Sequence, residues 1–309
     1  MLITKKEDLV RIFTDSTQTG KARNLICITH SGVFHADEVF CMAFFKLFED
    51  YFRLEADNSM MKLRFAHVLY TRVSDPSKFY VAGDDDYIIF DIGRGEFDHH
   101  QEGSAVRDTS TDEDPQPYAA FGLIWREFAP IVFDEKFVAE FDEKFVKPID
   151  LQDNGISLNP ISGTITRMNP GWDSHDSADK RFEAAVRFAM DVLKTWFDAY
   201  FSNRRANHGL EAAMRAPREH QNILVLNRYM PYFNYLTQQD PQVIEYVVYP
   251  SARNAGEWCI APVNSKVLLL PEAWVHESVD GMTFCHKARF IASFKSAEAA
   301  IAAITAAEN

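Results

Sequence analysis

The chain has 309 residues, of which 47% are hydrophobic and 25% are charged, a composition typical of a globular protein with a sizeable core and two domains. Its formal net charge of -13 argues against a generic nucleic-acid-binding surface, because such surfaces depend on clustered Lys and Arg. No apolar run is long enough to span a membrane, and charges interrupt the N-terminal segment MLITKKEDLVRIF. We therefore expect a cytoplasmic protein without a membrane partner.

Three short apolar runs in the N-terminal part predict buried parallel strands, at 24–29, 64–70 and 87–91. Between the first two runs, residues 37–52 place aromatic and aliphatic side chains on one helical face, with two acids in the first turn. This pattern predicts a strand, a loop and then a helix. A further helix is expected at 118–128.

The pattern changes from Asp179, where apolar residues with a period near 3.6 predict one long helix that continues to at least Phe201. After that helix, alternating and apolar runs predict strands at 242–249, 257–263 and 283–294. The segment SAEAAIAAITAAE predicts a closing helix with Ser296 as its N-cap.

These elements predict an α/β protein with a mainly parallel sheet in its N-terminal domain and a smaller α/β C-terminal domain. The long helix separates the two and serves as a linker. The expected division is a metal-binding catalytic domain at 1–177, a helical linker at 178–230 and a substrate-gripping domain at 231–309.

Three short segments carry most of the metal-capable side chains of the chain. They are THSGVFHADE with His30, His35 and Asp37, DIGRGEFDHHQ with Asp91, Asp98, His99 and His100, and PIDLQDNG with Asp150 and Asp153. Each segment follows or ends an apolar run, and a parallel fold brings the carboxyl ends of its strands to one edge of the sheet. The sequence therefore predicts a dinuclear metal site.

The mixture of imidazoles and carboxylates indicates which metal the site would bind. Such a mixture suits Mn, Fe, Co or Zn, whereas sites built only from oxygen suit Mg or Ca. We expect two Mn ions, with other divalent metals able to substitute. Two ions about 3.5 to 4 Å apart can activate a water molecule and hold a phosphoryl group. Asp91, at the end of a buried strand, is the expected bridge between them.

The motifs also carry a family resemblance. THSGVFHADEVF, TRVSDP, DIGRGEFDHHQ, DLQDNGIS and MNPGW occur in the order and spacing of the family typified by the melanocyte-proliferating-gene exonuclease, and the chain resembles that family from about residue 24 to 300. That family is similar to the DHH phosphoesterases, which include RecJ-type exonucleases and family II pyrophosphatases. The resemblance implies a Mn-dependent, DHH-phosphoesterase-like N-terminal domain and a smaller C-terminal domain that closes over the substrate.

Site roles carried over by motif follow from this resemblance. It implies metal ligands at His30, His35, Asp37, Asp91, His99 and Asp153. It implies that His100 is a substrate-facing donor and that Asp98 orients the histidine pair, with Asp150 as the alternative to Asp153 for the last ligand. The superfamily usually has a carboxylate at the position of His35. The histidine in this chain therefore gives the site one negative charge fewer.

The candidate substrate contacts are cationic. Arg72 follows a predicted strand and could contact substrate or form a salt bridge with a nearby carboxylate. His286, Lys287 and Arg289 lie in FCHKARFIASFKS, where DHH enzymes commonly have a glycine-rich phosphate-gripping motif. Strand alternation would place Lys287 and Arg289 on one face, where they could bind phosphate or form a solvated edge.

Three functions are consistent with these patterns. The first is a metal-dependent phosphoesterase, a 3′–5′ exonuclease or phosphodiesterase that attacks RNA, DNA or short oligonucleotides with a metal-activated water. The second is a hydrolase of a small phosphorylated metabolite, such as a nucleoside bisphosphate, a cyclic dinucleotide or pyrophosphate, which the acidic charge favours. The third is a non-enzymic metal-binding protein. The expected partner is single-stranded nucleic acid or a small phosphorylated substrate, and a homo-oligomer is compatible with the sequence.

Overall fold

A computed structural model describes the chain at residues 1–21, 23–52, 65–79, 85–107, 116–239 and 243–308. The chain forms two compact units, Met1–Asp198 and Ala199–Asn309. Each unit combines helices with a sheet, so the predicted α/β class is confirmed. The DHH-like arrangement and the division at 1–177, 178–230 and 231–309 remain predictions.

The first unit contains a sheet of three parallel strands in the order β2–β1–β3. The strands are β1 (Leu25–His30), β2 (Val68–Val73) and β3 (Asp86–Ile89). All three predicted strands are therefore present. The second strand begins four residues later than expected. It extends past the apolar run, through half-buried positions, and ends at Val73. Residue 64, where that strand was expected to begin, lies outside the described residues.

The helices of this unit are α1 (Lys6–Thr19), α2 (Ala36–Lys46), α3 (Ala120–Phe128), α4 (Glu135–Phe141), α5 (Lys147–Asp153) and α6 (Pro160–Thr166). A π-helical segment, Asp142–Val146, joins α4 to α5. A short antiparallel pair, β4 (Val106–Arg107) and β5 (Gln116–Pro117), precedes α3. No helix among the described residues is both long and apolar enough to cross a membrane.

Helix α2 is surrounded by protein on every side. The sequence predicts an amphipathic helix, yet each residue from Ala36 to Phe45 is buried. Aromatic side chains fill the space around it, and the ring of Phe44 packs edge-on against the rings of Phe48 and Trp125 at centroid distances of 5.4 and 5.8 Å. This packing holds α2 firmly and therefore also holds its N-terminal turn.

Helix α7 (Ala178–Arg215) begins in the first unit and ends in the second. The second unit has a five-stranded sheet in the order β6–β7–β8–β10–β9, in which only the β6–β7 pair is parallel. Its elements are β6 (Ile223–Val225), α8 (Phe233–Leu236), β7 (Tyr246–Pro250), β8 (Trp258–Pro262), β9 (Met282–Cys285), β10 (Ala292–Phe294) and α9 (Ala297–Glu308). The Ser296 hydroxyl accepts a hydrogen bond from the Ala299 N–H at 3.2 Å, which confirms the predicted N-cap. Residue 242, the first of a predicted strand, lies outside the described residues.

The single strand predicted at 283–294 is wrong. The segment forms the two strands β9 and β10, which pair with each other in an antiparallel hairpin. The hairpin turns because the Arg289 N–H donates to the His286 carbonyl at 2.7 Å, with Arg289 in the left-handed region at φ 57°. Lys287 and Arg289 consequently lie in a turn, and strand alternation does not place them on one face.

A buried ion pair ties α5 to the rest of the first unit. The Arg107 guanidinium lies 2.6 Å from the Asp150 carboxylate and 2.9 Å from that of Asp142. The Gly122 N–H donates to Asp150 at 3.1 Å, and a Cβ at Gly122 would fall 1.9 Å from this carboxylate. Burial raises the pKa of Asp150 to about 7, although Arg107 opposes that effect. Asp150 thus has a structural role that requires glycine on α3.

We expect Arg107→Met to lower the free energy of unfolding by about 3 kcal/mol, because it leaves Asp150 buried without its cation. The double variant Arg107→Met/Asp150→Leu should recover part of this loss. Urea unfolding measures both. Arg187→Met is the control, since that arginine is exposed and lies 3.8 Å from Glu183; its effect should stay within about 0.5 kcal/mol. Equal effects of Arg107→Met and Arg187→Met would contradict a structural role for the buried pair.

Candidate metal centre

Two residues of the site lie at the ends of two neighbouring parallel strands. His30 is the last residue of β1, and Asp91 follows β3. The Nε2 atom of His30 lies 3.1 Å from the Asp91 Oδ2 atom and 3.1 Å from the Glu38 Oε1 atom. The predicted meeting of strand ends at one edge of the sheet is therefore present in the structure.

The first turn of α2 contributes two further carboxylates. Asp37 and Glu38 are both fully buried. The Glu38 carboxylate accepts a hydrogen bond from the His35 N–H at 2.9 Å, and the Asp37 carboxylate accepts one from the Ala120 N–H at 3.3 Å. Sequence reasoning missed Glu38, which it placed only in the first turn as a complement to the helix dipole. Its position directly after Asp37 in HADE was the available signal.

The third segment joins the site through Asp153, at the end of α5. The Asp153 Oδ2 atom lies 3.0 Å from His99 Nε2, and its Oδ1 atom lies 3.7 Å from His35 Nδ1. The other ring nitrogen of His99, Nδ1, lies 3.5 Å from Asp91 Oδ1. Because Asp150 faces Arg107, the geometry favours Asp153 over Asp150 as the acidic group of this segment.

Asp98 holds His100 in a defined orientation. One carboxylate oxygen of Asp98 lies 2.8 Å from His100 Nδ1 and accepts from the His100 N–H at 3.1 Å, and the other accepts from the Arg94 N–H at 2.7 Å. Burial works against ionisation of Asp98, but these donors outweigh it and lower its pKa. The His100 side chain is 58% exposed, so its Nε2 atom remains available to a ligand.

A cavity of about 620 Å³ adjoins these side chains. His35, His99, His100 and Asp153 form part of its wall, and the rest is mainly polar, with Gln101, Gln152, Asn154, Ser162 and Thr166. Its size is that of a small-molecule pocket. No Lys or Arg occurs among the described residues that line it.

Several buried polar atoms of the site have no hydrogen-bond partner within the described part of the chain. They are Oδ1 of Asp37, both carboxylate oxygens of Asp91 and Nδ1 of His99. Ligand atoms of Asp37, Glu38 and Asp91 also lie within 4.8 Å of one another. Buried carboxylates this close repel each other and require cations or protons. The donor set therefore fits divalent metal ions that accept both oxygen and imidazole ligands.

The pKa values reflect the same crowding. Burial raises the pKa of Asp37 well above its usual range, and repulsion from Asp91, Asp153 and Glu38 adds to the effect. Burial opposes protonation of His30, but the carboxylates of Asp91 and Glu38 outweigh it and raise its pKa to about 10. Both shifts favour a bound proton, on Asp37 and on His30, which offsets part of the negative charge of the site.

The backbone of Asp91 is left-handed. Its φ of 57° lies in the left-handed region, which L-residues other than Asn and Asp seldom adopt. The Asp91 N–H donates to the Phe97 carbonyl at 3.0 Å, and this hydrogen bond closes the loop formed by residues 92–96. Left-handed residues other than glycine are frequent at functional sites, where the surrounding structure maintains the conformation.

Two side chains outside the site hold its first loop. The Asn169 amide donates to the Phe34 carbonyl at 2.7 Å and accepts from the Phe34 N–H at 2.9 Å, a positioning role that the motif MNPGW did not reveal. Arg72, the expected substrate contact, donates to the Gly32 carbonyl at 2.8 Å and to Asp179 at 3.1 Å. Its side chain is only 2% exposed. Of the two roles expected for Arg72, substrate contact or salt bridge, the structure shows the salt bridge.

Comparisons with known proteins agree with the motifs. The family model MYG1_exonuc, described as an uncharacterised protein family (UPF0160), matches residues 26–307. The MYG1 protein of Dictyostelium discoideum is 22% identical, over 90% of this chain and 94% of the relative. MYG1 protein YER156C of Saccharomyces cerevisiae is 26% identical, over 90% and 94%. No solved structure matches. The match over nearly the whole length shows that the chain belongs to the MYG1 family.

Proposed function

We propose that the chain is a divalent-metal-dependent phosphoesterase that acts as a 3′–5′ exonuclease or phosphodiesterase on RNA, DNA or short oligonucleotides. The observation that carries this proposal is the convergence of buried, unsatisfied ligand atoms on Asp37, Asp91 and His99, which come from two distant segments of the chain. The exonuclease abbreviation in the name of the family model supports a hydrolase, although its description leaves the activity uncharacterised.

The proposed metal ligands are His30, His35, Asp37, Asp91, His99 and Asp153, with Glu38 as a further candidate. Asp91 is the proposed bridge, because its Oδ2 atom lies 3.1 Å from His30 while its Oδ1 atom lies 3.5 Å from His99. Two oxygens of one carboxylate thus face two different histidines. When bound, two divalent ions, proposed as Mn, would lower the pKa of a water molecule and neutralise phosphoryl oxygens.

His100 and Asp98 are the proposed catalytic residues. The Asp98 carboxylate holds Nδ1 of His100 at 2.8 Å and so fixes the ring in the wall of the cavity. Because the Nδ1–H group donates to the Asp98 carboxylate, Nε2 is the ring nitrogen left for substrate, and in the imidazolium form it can donate a hydrogen bond to a phosphoryl oxygen or a proton to the leaving oxygen. Asp98 therefore acts through the orientation of His100.

A small phosphorylated metabolite is the second candidate substrate. The polar cavity of about 620 Å³ is large enough for a nucleotide, and its described lining contains no Lys or Arg to follow a polynucleotide backbone. This observation favours a nucleoside bisphosphate, a cyclic dinucleotide or pyrophosphate. A non-enzymic metal protein would bind the metal and turn over none of these compounds.

We expect the protein with Mn to shorten 5′-labelled single-stranded RNA or DNA from the 3′ end. Asp91→Asn and Asp153→Asn should lower the rate by about 100-fold or more, because each removes a ligand oxygen and its charge. Asparagine also tolerates the left-handed backbone of residue 91. Gel analysis of the ladder measures rate and polarity.

The matched control for these assays is Asp191→Asn, at an exposed position of α7, which should act like the wild type. Full activity of Asp91→Asn would contradict the proposed centre. If the wild type leaves oligonucleotides uncleaved but hydrolyses one of the small phosphates, the second candidate substrate replaces the first. No turnover of any compound by Mn-loaded protein would favour the non-enzymic function.

Asp91→Asn should also have opposite effects on stability with and without metal. In metal-free protein it should raise Tm, because it relieves the repulsion between Asp91 and the buried carboxyl groups beside it. Mn at about 100 times its Kd should stabilise the wild type by about 2.7 kcal/mol and the variant far less. Calorimetry in EDTA and in Mn, with Asp191→Asn as control, measures both effects. If Mn raises the Tm of Asp91→Asn as much as it raises the Tm of the wild type, Asp91 is not a metal ligand.

Variants of the catalytic pair should separate chemistry from metal binding. We expect His100→Gln to lower kcat by about 100-fold through the loss of a proton donor, and Asp98→Asn to lower it by about 10-fold through poorer orientation. Both should keep the Mn-induced rise in Tm, which distinguishes them from the ligand variants. Loss of that rise in His100→Gln would instead identify His100 as a ligand.

A further inference from the structure

The turn between β9 and β10 exposes a group of aromatic rings, defined here as the aromatic tip and formed by Phe284, His286 and Phe290. The two phenylalanines are 51% and 43% exposed. The His286 ring lies 4.2 Å from the Phe290 ring and 6.3 Å from the Phe284 ring, measured between centroids. Large apolar rings that project together from an edge of a sheet indicate a contact surface.

The backbone of the turn fixes the His286 ring. The His286 N–H donates to the Ile291 carbonyl at 3.0 Å, and the Ala288 N–H donates to Nδ1 of His286 at 3.0 Å. Because Nδ1 accepts a hydrogen bond, the neutral ring carries its proton on Nε2. The aromatic tip therefore presents flat apolar faces together with one hydrogen-bond donor.

The charge around the aromatic tip is opposite to that of the whole chain. Residues 283–296 contain two lysines, one arginine and no Asp or Glu, in a chain with a net charge of -13. The Arg289 guanidinium turns back towards the Leu270 carbonyl at 3.4 Å and Glu272 at 3.9 Å. Lys287 is exposed, and no ion pair between described residues includes it.

Arg289 adds a second unusual feature to this turn. Its φ of 57° is a conformation that glycine adopts without strain and that other residues seldom adopt. The turn therefore carries a cationic side chain at a position where the backbone alone would favour glycine. Strained positions of this kind cluster at binding sites.

We propose that the aromatic tip stacks against the bases of single-stranded nucleic acid while Lys287 contacts a neighbouring phosphate. Flat rings beside cations are the combination that binds single strands with little sequence preference. This inference rests on the proposed function, since it names a nucleic-acid strand as the substrate. It assigns base contact to Phe284 and Phe290.

Binding of fluorescein-labelled short RNA to the full-length protein, followed by anisotropy in EDTA so that the strand is not cut, tests the proposal. The double variant Phe284→Leu/Phe290→Leu keeps apolar volume and removes the flat faces. We expect its affinity to fall about 5-fold to 100-fold, the range seen for lost stacking. Phe233→Leu, at a 48% exposed phenylalanine of the same unit, is the matched control and should bind like the wild type.

Two further measurements identify what the aromatic tip recognises. A strand with abasic sites should bind the wild type as weakly as the normal strand binds the double variant, because stacking needs bases. Lys287→Gln should reduce the slope of log affinity against log salt by about one, as expected for one phosphate contact. Equal affinity for normal and abasic strands, or no effect of the leucines, would overturn the proposal.

The other plausible occupant of this surface is a second copy of the chain. If the double leucine variant changes the mass in sedimentation while oligonucleotide affinity stays the same, the aromatic tip is an oligomer contact and the proposal fails. Hydrolysis of bis-p-nitrophenyl phosphate with Mn reports the metal centre separately. A wild type that hydrolyses this ester but binds no strand overturns only the role of the tip. One that binds strands through the rings and hydrolyses nothing overturns only the proposed function.

Discussion

The carboxylates of Asp37, Glu38 and Asp91 share one buried volume, and this crowding of negative charge constrains the rest of the first unit. Two of them lie in the first turn of α2, where the unpaired N–H groups of the helix favour anions. Asp91 lies two residues after β3, which pairs in parallel with β1. The helix terminus thus offsets part of the repulsion, and the remainder requires cations or protons; bound cations are what would let so acidic a site serve the proposed phosphate chemistry.

Crowded charges persist only where the surrounding structure is stiff. The aromatic packing around Phe44 and Trp125 encloses α2, so its first turn cannot swing outwards to separate the acids. Asn169 holds both backbone groups of Phe34, one residue before His35. The Arg107–Asp150 pair anchors α5, whose last residue is Asp153. The first and third segments of the centre are therefore fixed by contacts outside it, as preorganisation of a metal site requires.

The sequence predicts well those parts of the site whose positions depend on neighbouring residues in the chain. His30 and Asp91 end predicted strands, and parallel pairing alone brings strand ends together. The motif match put Asp153 first but left Asp150 as an alternative, because the residue pattern does not show that Asp150 pairs with Arg107, 43 residues away in the chain. The β9–β10 turn was also missed, because its left-handed position is occupied by arginine and no glycine marks it. Long-range partners and unusual backbone conformations are the features that local patterns do not encode.

The overall charge imposes a condition on any polyanionic substrate. A chain with a net charge of -13 repels nucleic acid within about one screening length and is screened by salt beyond it, so long-range steering cannot supply the affinity. In the proposed function, attraction arises only at short range, from metal ions at the centre and from base stacking and Lys287 at the aromatic tip. Few phosphate contacts release few counterions, and affinity should therefore depend less on salt than it does for proteins that bind through a basic groove. In this proposal the local exceptions to the acidic surface, rather than its average charge, determine which phosphorylated substrates the protein binds.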